Sequence, residues 1–230
     1  MRVGVFIDGQ NITIGARHVF GHGNLHPLLL ARALAADDEL AEVRYATGIP
    51  SRDVDPERHD AERRRHDLML ATDVVVMEKP LRYRWEWMIR DRSLPNPYRN
   101  QGEVRQARVK SRNRGQEKGV DVWLALDALV MCTRQDLDRV VIASADRDLD
   151  LIPDYVRMIP INDGTVVDQA IILDEHRELR QNPAYDRTIR IDREMFEFAR
   201  DDFDYSRPLD DAEVAALVTR LGSERDGLRD

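Results

Sequence analysis

The sequence predicts an α/β fold with a mainly parallel central sheet. Three observations carry this. Short apolar runs alternate with helical stretches along most of the chain, the pattern of strand–helix–strand units. Runs such as Val3 to Ile7 and Arg139 to Ala143 are apolar with little alternation, as in strands covered on both faces. And 230 residues with 42% apolar content suffice for one sizeable core, with room for an appendage.

The elements follow in order. Val3, Val5 and Ile7 with Phe6 form the first strand, which ends at Asp8 before Gly9, and a helix follows from Asn11. Leu25 to Ala36 reads as a helix with Pro27 in its first turn, where the missing N–H costs nothing. Ala41 to Ala46 is a second strand. Asp55-Pro56 opens a helix that runs to about Ala71, with Asp55 as N-cap. Val74 to Met77 is a third strand. Leu81 to Ile89 alternates, and Val104 to Val109 returns as its hairpin partner across a loop rich in turn residues. A helix starts near Gly119 and reaches Thr133, Arg139 to Ala143 is a strong strand, and Asp148 to Met158 reads as a helix with Pro153 near its start. Gln169 to Leu173 and Thr188 to Ile191 are strands, Arg193 to Arg200 is a short helix, and a small amphipathic helix falls around Val214 to Leu221. The expected organisation is a domain over 1–200, with a basic hairpin/loop insertion at 79–118 and an acidic C-terminal tail at 201–230.

Composition narrows the function classes. The longest apolar runs are four or five residues, so no membrane span is expected, and Asp8 interrupts the only apolar stretch near the N-terminus, so no signal peptide is expected. A single cysteine, Cys132, excludes an internal disulfide framework, and a cytoplasmic location is the default expectation. His18, His22 and His26 have helical spacing for a metal face, but Gly21, Gly23 and Pro27 break any such helix. The net charge of −8 argues at first against a polyanion partner. It conceals an asymmetry: Lys79 to Lys118 holds twelve Lys/Arg against four acids, a net +8, which leaves −16 for the rest of the chain. A basic block within an acidic protein reads as a local surface for a polyanion. Arg82, Arg84, Arg108, Lys110, Arg112 and Arg114 are its candidate contacts, while Tyr83, Trp85 and Trp87 on the opposite strand face are assigned to packing.

In parallel α/β sheets, ligands bind beyond the carboxyl ends of the strands, which points to Asp8 and Asp146. Three segments place acids at such junctions: Phe6-Ile7-Asp8-Gly9-Gln10-Asn11, Lys118-Gly119-Val120-Asp121 and Ser144-Ala145-Asp146-Arg147-Asp148-Leu149. Any one of these acids alone reads first as a turn residue or a helix cap. Converging carboxylates repel each other, and a hard divalent cation removes that penalty; oxygen-only donors favour Mg²⁺ or Mn²⁺. Asp127, six residues beyond Asp121, lies on another helical face and is assigned a structural role.

Together, and in this order, the three segments resemble the signatures of the NYN domain family, the bacterial branch of the PIN-like nucleases, over roughly residues 1–195. The resemblance implies a PIN-like three-layer sandwich, a Mg²⁺ or Mn²⁺ site and cleavage of RNA. Carried over by position, it implies Asp8, Asp121, Asp146 and Asp148 as catalytic, metal-holding acids, with Asn11, Ser144 and Lys118 orienting them. The chain departs from the family pattern in its third segment, where Ala145 replaces a glycine, Arg147 a serine and Leu149 a phenylalanine. The expected function is a metal-dependent endoribonuclease whose partner is single-stranded or structured RNA, with a homodimer left open. The alternatives are a non-catalytic RNA-binding or regulatory module that retains the ion, and an interaction partner that uses the acidic tail.

Overall fold

The computed structural model describes residues 1–83, 85–89, 104–108, 115–134, 137–160 and 164–223. Six strands form one parallel sheet: β1 (Arg2–Asp8), β2 (Glu39–Ile49), β3 (Val74–Pro80), β6 (Arg139–Ala143), β7 (Val166–Ile172) and β8 (Arg187–Ile191). Their order is β3-β2-β1-β6-β7-β8, and every neighbouring pair is parallel. The chain winds outward from β1 to one edge, then returns to the centre at β6 and winds to the other. The point of reversal lies between β1 and β6, and there the connections leave in opposite directions and open a crevice beyond the strand ends.

Alternation along β1 explains the layers. Val3, Val5 and Ile7 are fully buried against α1 (Gly9–Phe20), α2 (Pro27–Ala35), α6 (Arg193–Phe198) and α7 (Asp211–Ser223). Phe6 points the other way, with Ile142 and Val140 of β6, into α4 (Val120–Arg134) and α5 (Ile152–Met158). The result is the three-layer sandwich that the sequence predicts. α3 (Pro56–Leu70) starts at Asp55, whose side chain accepts the Arg58 N–H, a cap contributing about 1 kcal/mol. Cys132 is buried on α4, and Asp127 pairs with Arg44 of β2 at 3.5 Å.

Several elements differ from expectation in ways that shape the site. β2 runs three residues past Ala46, as far as Ile49, because β3 pairs with it along that whole length. Residues 148–158 do not form one helix: Asp146 caps a single 3-10 turn at Arg147–Leu149, and α5 starts only at Ile152, with Pro153 in its first turn. The hairpin comprises β4 (Trp85–Ile89) and β5 (Val104–Arg108), antiparallel and separate from the main sheet. Leu81 to Tyr83 do not join β4. Arg82 exchanges two backbone hydrogen bonds with Gln116, at 2.9 and 2.7 Å, which closes the root of the insertion beside the main sheet. Beyond residue 200 the chain packs back onto the domain: Leu217 and Leu221 of α7 enter the core of the first layer, and Asp201 is buried. Among the described residues no helix is long and apolar enough to cross a membrane.

Candidate active site

Asp8 is the last residue of β1 and the N-cap of α1. Its Oδ1 accepts the Asn11 N–H at 3.0 Å, and its Oδ2 accepts the Ser144 hydroxyl at 3.0 Å. The close fit of α1 over β2 depends on Gly9, where a Cβ would lie 2.5 Å from the Tyr45 ring. Asp8 is only 7% exposed. Burial raises its pKa, the Asn11 and Ser144 hydrogen bonds act the other way, and the charges of Asp146 and Asp121 raise it further.

Ser144 lies just past β6 and is fully buried. While its hydroxyl donates to Asp8, its oxygen accepts the Asp146 N–H at 3.1 Å. Asn11 completes the lattice, its side-chain oxygen accepting the Ala145 N–H at 2.9 Å. Ser144 and Asn11, two of the three residues expected to orient the acids, therefore tie the ends of β1 and β6 together.

Asp8, Asp146, Asp121 and Lys118 line one cleft of about 490 Å³, at the reversal point of the sheet. Asp121 reaches it from the first turn of α4. Asp148 does not line this cleft. It is exposed on the 3-10 turn, and its N–H donates to Asp146 Oδ1 at 3.0 Å.

The structure adds an acid that the sequence reading passed over. Glu117, directly before the Lys118-Gly119-Val120-Asp121 segment, lines the same cleft. Its Oε1 accepts the Gly48 N–H from the extended end of β2. A Cβ on Gly48 would meet Glu117 Cγ at 2.6 Å and Leu81 at 2.3 Å, so only glycine leaves room for this carboxylate. Burial, with the charges of Asp8 and Asp121, pushes Glu117 up to about 6, against the opposing Gly48 and Thr47 hydrogen bonds. Gly119 turns the chain with φ +73°, and the Lys79 ammonium donates to its carbonyl at 3.3 Å, tying β3 to the start of α4. The usable signal for Glu117 was its position one residue before a motif already singled out.

Of the basic candidates, Arg82 is exposed beside Gln116, one residue from Glu117. Arg108 ends β5. Arg84, Lys110, Arg112 and Arg114 lie outside the described residues. Tyr83 is half-buried, and its hydroxyl oxygen accepts the Ser51 N–H at 3.1 Å. Among the histidines of the N-terminal segment, His26 is buried and caps α2 by accepting the Leu28 N–H, and burial brings its pKa down to about 3.

The donor set is oxygen only, four carboxylates against one lysine, and two of the four, Asp8 and Glu117, are pushed up by burial and by neighbouring carboxylates. That is the electrostatic condition a hard divalent cation relieves. Among the described residues no three acidic, histidine or cysteine side chains already form a coordination group. An ion held here would keep part of its water shell, as Mg²⁺ habitually does.

A family model described as the NYN domain matches residues 2–159. The crystal structure of a protein of unknown function from Vibrio parahaemolyticus RIMD 2210633 has a similar fold. Its TM-score is 0.51 at 19% identity, over 85% of this chain and 94% of that one. Among curated proteins the chain has no significant match.

Proposed function

The chain belongs to the NYN domain family, a family of PIN-like nucleases, and from that premise we propose that it is a metal-dependent endoribonuclease. The observation that supports this reading best is the meeting of Asp8, Asp121 and Asp146, from three separate segments, in one cleft at the reversal point of a parallel sheet. In this reading those three acids and Glu117 hold one or two Mg²⁺ or Mn²⁺ ions, with Asp148 at the rim. Such an ion supplies a water activated at neutral pH and offsets the charge that develops on the phosphate. Ser144 and Asn11 keep the Asp8 carboxylate aimed into the cleft. Lys118 meets a non-bridging phosphate oxygen as a point charge. Gly48 holds Glu117 through its N–H, with Thr47 as a second hydrogen-bond partner.

The basic 79–118 segment counters the repulsion that four acids exert on RNA. Its root, Arg82 bridged to Gln116, adjoins the cleft. A cytoplasmic location suits the single buried Cys132, whose thiol burial pushes up to about 11.

The test is cleavage of labelled single-stranded RNA with Mn²⁺, Mg²⁺ or EDTA, by the parent and by Asp8→Asn/Asp146→Asn. Cleavage by the parent that needs the ion and vanishes in the double variant supports the reading. Absence of parent cleavage in either metal, or equal cleavage by the double variant, overturns it.

A further inference from the structure

A second cleft of about 490 Å³ adjoins the carboxylate cleft, and the two share Ala145. Their charges are opposite. The first carries four acids and one lysine; the second carries Arg147 and Arg180 against a single acid, Asp150. Consecutive residues divide between them, since Asp146 lines the first and Arg147 the second. Consecutive Cα atoms are about 3.8 Å apart, so the two clefts meet within one residue of backbone.

The polar groups of the second cleft fall into two kinds. Its amides are already engaged. Gln169 donates to the Ser144 carbonyl at 3.0 Å and accepts from the Asn182 amide at 3.2 Å. Asn182 also donates to Asp150 at 2.9 Å and accepts the Ala184 N–H at 3.1 Å. Gln181 donates to the Tyr185 carbonyl at 2.9 Å and accepts the Thr188 N–H at 2.9 Å. The guanidiniums are not engaged: among the described residues neither the Arg147 nor the Arg180 side chain has a hydrogen bond or an ion pair, and both residues are exposed. Two free guanidiniums on one cleft wall are what an anion would use.

We propose that this cleft binds the sugar-phosphate of the nucleotide next to the one held at the carboxylates, without reading its base. The inference rests on the nuclease reading. A strand with its scissile phosphate at the acids passes over Ala145, which lines both clefts, and its neighbouring phosphate meets Arg147 and Arg180. The methyl group of Ala145 offers the strand no obstacle and no polar contact. The amides offer base edges little to read, because Gln169, Gln181 and Asn182 each already direct a donor and an acceptor to the protein. Their network reaches the Ser144 carbonyl, so the floor of the second cleft is fixed to the residue that positions Asp8.

The experiment is fluorescence anisotropy of short labelled oligouridylate and oligoadenylate with the metal-free protein in EDTA, across a salt series. The Arg147→Ala/Arg180→Ala variant should bind both oligomers more weakly, by roughly 10- to 30-fold at 0.1 M salt. Its salt slope should fall by about 0.7 per lost contact on a single strand. The loss should be equal for the two bases. Arg147→Lys/Arg180→Lys, which keeps the charges, should recover most of the slope, and it provides the measurement if the alanine variant folds poorly. Unchanged affinity and slope in the alanine variant overturn the subsite and leave the nuclease reading standing. A larger loss for one base overturns the sequence-independent assignment. A parent that neither binds either oligomer nor cleaves RNA in Mn²⁺ overturns the nuclease reading, and the subsite with it.

Discussion

The Ser144 hydroxyl donates to Asp8 Oδ2 at 3.0 Å, joining a residue just past β6 to the last residue of β1. The same oxygen accepts the Asp146 N–H, so one buried hydroxyl fixes the spacing between two acids of the cleft. Ser144→Ala should therefore leave Asp8 and the Asp146 N–H each short of a partner. A loss of about 1–3 kcal/mol in denaturant unfolding is expected, the cost of a buried polar group left unmatched. Midpoint Mn²⁺ concentration, read from thermal shifts, should rise in parallel. Unchanged stability and unchanged Mn²⁺ response would show that the hydroxyl positions nothing.

Asp146→Asn and Asp148→Asn should separate. Asparagine at 146 still accepts the Asp148 N–H and caps the 3-10 turn, so folding should be intact while Mn²⁺-dependent cleavage falls by at least 100-fold, an interaction of about 3 kcal/mol at the reacting phosphate. Asp148 sits outside the cleft, so its replacement should cost less than tenfold. Equal losses in the two variants would place Asp148 among the ligands.

Glu117→Gln should stabilise the metal-free protein at neutral pH. The folded-state value of about 6 lies above the ordinary 4.5. The associated stability is therefore complete below about 4.5 and is lost as pH rises through about 6. Glutamine keeps an oxygen for the Gly48 N–H and removes the charge. The gain at pH 7 should be about 1 kcal/mol, once partial exposure is allowed for. Urea titrations of both proteins at pH 4 and pH 7 measure it; a gain as large at pH 4 as at pH 7 would contradict the charge argument.

His26 should give the opposite slope. Burial lowers its pKa from 6.5 to about 3, so its stability contribution is present above 6.5 and is lost as pH falls toward 3. The unfolded chain takes up the proton first, which costs the parent about 2 kcal/mol at pH 5 relative to pH 7. His26→Asn retains an N-cap for α2 without a titrating group, so its stability should be flatter over that interval. Parallel pH dependences in parent and variant would rule out His26 as the source.

Much of this was legible in the sequence because it is local. The apolar run before Asp8, Asp55-Pro56 at the start of α3, and the five residues of β6 are each fixed by a few neighbouring side chains. So was the approach of Asp8 and Asp146, which lie at or just past the ends of the paired strands β1 and β6, whereas Asp121, on the first turn of α4, was placed with them by the resemblance. Glu117 was not legible, because its place depends on the Gly48 N–H, 69 residues away, and on β2 running past Ala46. The division of labour between Asp146 and Asp148 depends on a 3-10 turn that a helical pattern cannot distinguish from the start of α5. α7 was read as part of a tail, yet the spacing of Leu217 and Leu221, one helical turn apart, is that of a face packed on the core.

The Ser144–Asp8 bond spans 136 residues of chain. Neither β1 nor its cleft is complete until β6 has been added beside it, since β6 is the partner of β1 on that side. During synthesis at roughly 5–20 residues per second, Asp8 emerges from the ribosome about 7–27 s before Ser144. For that interval the nascent chain holds one carboxylate of the cleft without its hydroxyl partner and without Asp121 or Asp146 in place. The cleft is thus complete only once β6 has joined the sheet, and a nascent chain halted at the end of α4 holds Asp8 and Asp121 without Ser144 or Asp146.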